Sequence, residues 1–369
     1  MSSITPHAIT RIDLWPVDLP ITDPFVVATG ARVMAENIFV RITLRSGVHG
    51  YGEIAPFPEV GGEDRPASLR AAGDAAKHLL GQPVSHWTRL GHVLREVIGG
   101  YPAARCGLET AMLDAFCHAG RIPLWALWGG ADVRPRETDI TIPITDMKKT
   151  VSLACGWHEQ GFRLLKIKVG KDLENDVRRL EAVHRAVPDA AFIGDGNQGY
   201  SREECLAFVA GVKQFGGRLV LLEQPLVRAD LEGLQALRHL TGIPVAADES
   251  VRSLEDARAV LKERAADLIN IKIMKTGIVE ALEIAQFARA SGLGLMIGGM
   301  VEARIAMGCS FAMVLGLGGF DVLDLDTPLL LGEDPVTGGY WYEGPRLHPW
   351  EGAGLDLTVD VPRGATTIE

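Results

Sequence analysis

No uninterrupted apolar run in this 369-residue chain reaches the roughly 18 residues that a membrane-spanning helix needs. Runs of lysine and arginine are missing too, and the net charge is −10. A phosphate backbone wants a basic surface, so neither membrane nor nucleic acid is an expected partner. Cysteine is sparse. Cys106, Cys117, Cys155, Cys205 and Cys309 are scattered, odd in number and never spaced C-x-x-C. This excludes a disulfide framework and reads as reduced, mostly buried thiols in a cytoplasmic protein. The opening Met1-Ser2-Ser3-Ile4-Thr5-Pro6 has no basic stretch followed by an apolar one, so no secretory signal is expected. Low-complexity segments and long linkers are also lacking.

What is present suits a barrel-sized domain plus a smaller one, and an apolar content of 47% is ample for a core. Residues 8–19 and 37–54 alternate and are rich in β-branched side chains, which predicts an antiparallel meander turning at Arg45-Ser46-Gly47. The stretch Thr22–Ala31 is neither helical nor cleanly alternating and reads as a loop, as does Ala55–Glu63. Helical spacing follows near 66–80, 86–97 and 103–119, the last marked by Leu108, Met112, Leu113 and Phe116.

From about residue 138 short apolar strands alternate with seven helical stretches. The strands are expected near 139–144, 163–168, 191–195, 219–223, 244–247, 267–272, 294–297 and 320–325, in units of roughly 22–28 residues. Eight strands and seven helices predict an α/β fold: a closed parallel barrel of the TIM type, preceded by an α+β domain. The barrel is assigned to 134–334. The α+β domain takes 1–133 and the stretch 335–369, which is rich in Gly, Pro and Trp and packs back on the first domain.

In such a barrel the active site lies at the C-terminal ends of the strands. Polar groups stand at those ends: Thr141, Lys166 and Lys168, Asp195, Glu223, Asp248, Lys272, then Asp324 and Asp326. Lys166 and Lys168 are two apart and share a face. One aspartate after a strand is ordinarily a helix N-cap. Three carboxylates on consecutive strands, Asp195, Glu223 and Asp248, would repel one another without a hard dication among them, which points to Mg²⁺. Lys168 and Lys272 come from strands two and six, on opposite sides of that ion. Lys166 reads as a neighbour of the metal that meets an anionic substrate group and lowers the pKa of Lys168. Lys275 reads as a solvated surface charge. Two amines flanking a metal-held carboxylate suit removal and return of a proton at the adjacent carbon; the use of Lys or His bases with Mg²⁺ in enolase-type sites is a known pattern.

Lys-x-Lys, Asp-x-Asn, Glu-Gln-Pro, Ala-Asp-Glu-Ser and Asn-Ile-Lys, in this order, resemble the muconate-lactonising subgroup of the enolase superfamily over nearly the whole chain. The resemblance implies a modified (β/α)₇β barrel of the TIM type with an α+β capping domain, Lys168 and Lys272 as the acid/base pair, and Asp195, Glu223 and Asp248 as ligands of one Mg²⁺. The segment Phe320–Leu329 resembles the Asp-x-Asp stretch of dipeptide epimerases, which implies that Asp324 and Asp326 hold a dipeptide's α-ammonium, with Thr141 and Lys166 also on the substrate. Asp321 has the opposite parity and is expected outside. The implied reaction inverts the α-carbon of the second residue of an L-Ala-L-Xaa dipeptide by two-lysine 1,1-proton transfer through an enolate. Where the Ala-Glu epimerases carry a flap arginine, this sequence has Gly30, with Arg32 two residues on, so an uncharged or hydrophobic second residue is expected. N-acylamino-acid racemase, o-succinylbenzoate synthase and muconate cycloisomerase chemistry share the lysine pair, but their anionic substrates suit Asp324 and Asp326 poorly. A metal-stabilised barrel that only binds a ligand would not need both lysines. The default assembly for a soluble enzyme of this kind is a homo-oligomer.

Overall fold

The computed structural model describes residues 6–369; the first five residues, on which the secretory-signal reading largely rests, lie outside them. The chain opens with a long antiparallel hairpin, Ile9–Val27 against Gly30–Leu44, followed by His49–Ile54 on the same sheet. Gly47 takes the left-handed turn conformation, φ +85°, that joins the second and third strands. Helix Pro102–Gly120 lies directly on the third strand, where a Cβ at Gly52 would come within 1.9 Å of the Gly107 carbonyl oxygen. Two glycines on one face of that strand, Gly50 and Gly52, make this close approach possible.

The segment Thr22–Ala31, expected as a loop, is instead the far end of the hairpin. Pairing resumes with Phe25 opposite Arg32 after a register shift between Pro20 and Phe25, and only Ala28 and Thr29 form the turn. Pro20 and Pro24 lack backbone donors, so the ladder breaks there and the apolar alternation slips with it. The slip hid the strand from a periodicity argument.

Eight parallel strands follow: Ile140–Ile142, Leu164–Lys168, Ala191–Asp195, Leu219–Glu223, Val245–Ala247, Leu268–Ile271, Gly294–Ile297 and Val322–Leu323. They are hydrogen-bonded in chain order into one curled sheet. The last strand meets the first through a short seam, in which Asp139 N–H donates to the Leu323 carbonyl (3.0 Å) and Leu325 N–H to the Thr138 hydroxyl (2.7 Å). The barrel floor is a separate buried cluster of Ile193, Leu221, Ala246, Leu268 and Met296. Four of these stand two residues before Asp195, Glu223, Asp248 and Asn270, so the same strand face is apolar below and polar above. The C-terminal strand Thr366–Ile368 pairs with Ile12–Leu14 at the edge of the first sheet. Trp341–Glu343 and Arg346–His348 form a small sheet with Arg136–Glu137. Among the described residues no helix is long and apolar enough to cross a membrane.

Two buried carboxylates tie the first sheet and its helix to the barrel. Glu53 accepts from Ala303 N–H (2.7 Å), Ala306 N–H (3.0 Å) and the Asn37 amide (2.8 Å), so it satisfies donors at the start of helix Arg304–Leu317. Glu109 does the same for Ile278 and Val279 at the start of helix Ile278–Ala290. Glu53→Ala leaves those donors buried without acceptors and is expected to cost about 2–4 kcal/mol, read as a lower urea midpoint at unchanged m-value. A loss under about 0.5 kcal/mol would show that the contact contributes little.

Candidate active site

All nine singled-out side chains, Thr141, Lys166, Lys168, Asp195, Glu223, Asp248, Lys272, Asp324 and Asp326, are buried at one rim of the barrel. Strand register brings them together. Thr141 lies beside Lys166, Lys168 beside Asp195, and Asp195 beside Glu223. The Lys168 ammonium donates to Asp195 Oδ2 at 2.5 Å. Across the rim, Lys272 Nζ is 2.8 Å from Asp248 Oδ2 and 3.8 Å from Glu223 Oε1. Lys166 sits between the two halves, 2.6 Å from Asp324, 2.9 Å from Glu223 and 3.3 Å from Asp195. Its ammonium thus meets three carboxylates of the protein itself. Asp321 is exposed and accepts from Leu295 N–H, as its parity predicts.

Lys275 departs from expectation. It is buried, donates to Asp248 Oδ1 at 2.5 Å and to the Asn270 carbonyl at 3.0 Å, and also contacts the Asp248 carbonyl. Strand six ends in a single helical turn, Ile273–Thr276, which folds Lys275 back beneath the rim instead of out to water.

Sequence reasoning missed several partners. Asp139 lies with Asp324 and Asp326 in a buried group whose nearest carboxylate oxygens all fall within 4.8 Å of one another. Asn270 donates to Glu223 Oε1 at 2.8 Å, and Asn197 to Glu249 at 3.3 Å. Parity carried the signal for two of them: Asp139 is two before Thr141, and Asn270 two before Lys272. The Phe25 ring, 5.7 Å from Lys168 Nζ, has no such signal, because the hairpin brings it in from the other end of the chain.

Charge is out of balance here. Four buried lysines, Lys166, Lys168, Lys272 and Lys275, face seven buried acids, Asp139, Asp195, Glu223, Asp248, Glu249, Asp324 and Asp326. Burial and the Asp195 charge push Glu223 up to about 7, and burial with Asp248 pushes Glu249 up to about 8. Burial and Asp324 raise Asp326 to about 6 and lift Asp139 well above the usual range. Burial works against the charged form of Lys272, yet Asp248 and Glu223 hold its pKa above the ordinary value. The same contest, won by Asp324, Glu223 and Asp195, raises Lys166. Asp248 moves down despite its burial, because Lys272 and Lys275 flank it. Surplus buried acid wants another cation. Asn197 Oδ1 and Asn270 Oδ1 lack hydrogen-bond donors in the same region, and Glu223 Oε2 meets only the Lys166 ammonium, at 2.9 Å. By its chemistry the all-oxygen set of Asp195, Glu223 and Asp248 suits a hard dication such as Mg²⁺, while among the described residues the acids whose oxygens lie within 4.8 Å of one another are Asp139, Asp324 and Asp326.

Two connected cavities open above these groups. The inner chamber, about 370 Å³ including its mouth, is lined by Lys166, Lys168, Lys272 and Asp324, with Phe25, Val27, Phe57, Val60 and Met300 around them. The outer pocket, about 510 Å³, shares Phe25 and Thr141 with it and is otherwise largely apolar.

Comparison with known proteins agrees with this architecture. Residues 10–129 match the mandelate racemase/muconate lactonizing enzyme N-terminal domain, and residues 149–363 match the enolase C-terminal domain-like model. The chain belongs to the mandelate racemase/muconate lactonizing enzyme family of the enolase superfamily. It is 42% identical to an aromatic dipeptide epimerase of Herpetosiphon aurantiacus over 96% of this chain and 99% of that one. A hydrophobic dipeptide epimerase of Citrifermentans bemidjiense is 39% identical over 89% of this chain and 91% of its own. Among solved structures, the Enterococcus faecalis dipeptide epimerase complexed with Mg and L-Leu-L-Tyr superposes with a TM-score of 0.91 at 30% identity, covering 95% of this chain and 99% of that one.

Lys275→Met removes one of two ammonium partners from the buried Asp248 and is expected to cost about 3–5 kcal/mol without added divalent cation, read by urea unfolding. A cost near zero would restore the solvated-lysine reading.

Proposed function

We propose that the protein is a Mg²⁺-dependent dipeptide epimerase that inverts the α-carbon of the second residue. One observation carries this: Lys168 and Lys272, from the ends of strands two and six, line a single chamber together with Asp324. The kinship with dipeptide epimerases supports the same reading. Asp195, Glu223 and Asp248 are the residues that hold the cation. A bound Mg²⁺ would supply Lewis-acid stabilisation of negative charge on the substrate carboxylate.

The residues of the chain do the rest. Lys168 and Lys272 face the same carbon from contrary sides. One, as the free amine, takes the α-proton; the other, as the ammonium, returns one to the opposite face of the enolate. Shielding by Phe25 keeps water from Lys168. Asp324 and Asp326 accept hydrogen bonds from the dipeptide's α-ammonium. Asp326 is held for this by the Thr141 N–H, which donates to it at 2.5 Å and leaves its second oxygen without a partner. Lys166 holds Asp324 in place by donating to its Oδ2 at 2.6 Å.

The preferred second residue is uncharged and apolar, as in an L-Ala-L-Xaa peptide with Xaa hydrophobic. Val27, Phe57, Val60 and Met300 surround the chamber above the lysines. Arg32, the cation nearest the expected flap position in sequence, is engaged by Glu59 at 2.8 Å and lies over the Phe57 ring at 5.1 Å. A buried glutamate side chain would find no partner in such a wall. For domain limits we propose a cap of 1–133 plus 335–369 and a barrel of 134–334, supported by the pairing of Thr366–Ile368 with the first strand. A reducing, cytoplasmic setting fits five free cysteines, four of them buried.

In D₂O with Mg²⁺, L-Ala-L-Leu is expected to take up one α-deuterium at its second residue and yield both epimers. Lys168→Ala and Lys272→Ala are each expected to lower epimerisation by about 10²–10⁴-fold, while exchange from one isomer persists in one or both variants. Full epimerase activity in either variant would refute the two-base scheme. Exchange confined to N-succinyl amino acids would move the protein to the N-acyl racemases, and faster turnover of L-Ala-L-Glu than of L-Ala-L-Leu would overturn the apolar preference.

A further inference from the structure

The outer pocket is larger than the methyl group of an N-terminal alanine can fill. Its walls are Ile21 and Phe25 from the hairpin, Leu153 and Trp157 from helix Met147–Glu159, and Leu329 and Leu330 from the turn after strand eight. Leu153 and Trp157 are four apart and so share one helix face. The walls are tied to each other. Ile21 bridges to Leu331, and Gly332 N–H donates to the Pro20 carbonyl at 2.7 Å. Trp157 is braced edge-on by Phe162 at 5.5 Å between ring centroids. Asp23 at the mouth is paired with Lys149 at 2.7 Å, so it offers no free charge.

Position decides which part of a ligand this pocket meets. Thr141 lines both cavities, and its N–H holds Asp326. An α-ammonium on Asp324 and Asp326 therefore sits where the two cavities join. The α-carbon bearing it lies one bond away, and the next α-carbon about 3.8 Å further on, between the lysines. The second side chain then has the inner chamber, and the first has the outer pocket. We infer that the outer pocket is a specificity site for a bulky, uncharged apolar side chain on the first residue, so that the natural substrates are dipeptides apolar at both positions. This rests on the epimerase reading above and adds to it the identity of the first residue.

The test is kcat/KM, from α-deuterium uptake with Mg²⁺, for L-Ala-L-Leu, L-Leu-L-Leu, L-Phe-L-Leu and L-Lys-L-Leu. L-Leu-L-Leu or L-Phe-L-Leu is expected to exceed L-Ala-L-Leu by about tenfold or more. Leu153→Trp, which fills the pocket, is expected to reduce that ratio about tenfold; Leu330→Trp, from a different wall, is expected to do the same if the first variant folds poorly. A wild-type ratio at or below one, a preference for L-Lys-L-Leu, or a ratio unmoved in a folded variant would overturn the inference while leaving the epimerase reading intact. Turnover of none of the four would sink both.

Discussion

Ions shut away from water must be neutralised by other ions, and the barrel mouth obeys this only in part. Seven acids and four lysines share one buried rim. Lys166 and Lys272 each answer for more than one acid, whereas Lys168 and Lys275 each pair with one. Lys166 spans Asp195, Glu223 and Asp324, and Asp248 is clamped between Lys272 and Lys275. Base strength and cation binding are therefore linked. A dication held by Asp195, Glu223 and Asp248 would compete with Lys272 for those charges and so would loosen their hold on its proton.

Such a rim needs a rigid frame, because a carboxylate displaced from its partner underground costs several kcal/mol. The frame is the strand register, which fixes Asp195 beside both Lys168 and Glu223. The cover is the end of a two-stranded hairpin, anchored to the barrel by the Val26 carbonyl, which accepts from Ile144 N–H, and by Ile21 against Leu331, with the neighbouring loop held by Arg252 on the Val60 and Gly61 carbonyls. Glu53 and Glu109 hold the body of the first domain against two barrel helices, so the hairpin is aimed at the strand ends from a fixed base.

Much of this was legible in the sequence, and the reasons are local. Parallel barrel strands are short, apolar on both faces and regularly spaced, and the polar residue that ends each one stands out against its own strand. Parity then puts Lys166 with Lys168, and Asp324 with Asp326, on the inner face. What escaped was nonlocal or broken in period. Prolines at 20 and 24 interrupt the ladder and disguise a strand as a loop. Lys275 looked solvated because nothing in three residues of sequence says that a helical turn folds back. Asp139 joins Asp324 and Asp326 only because the first and last strands meet, a closure that no window of sequence contains.

Reaction and selectivity are drawn from different parts of the chain. The groups proposed to handle protons come from strand ends, whose positions the barrel fixes. The apolar cavity walls proposed to meet ligand side chains come from the hairpin, the first barrel helix and the turn after strand eight. Selectivity can thus change without disturbing the charges, but not always by one substitution. Placing an arginine at Gly30 to greet an acidic second residue would drive its Cβ to 2.5 Å from the Glu59 side chain. Glu59 in turn is what neutralises Arg32. A single change would clash and, if Glu59 moved aside, would set two guanidinium groups against one displaced carboxylate. The proposed apolar preference would in this sense be locked by the Arg32–Glu59 salt bridge.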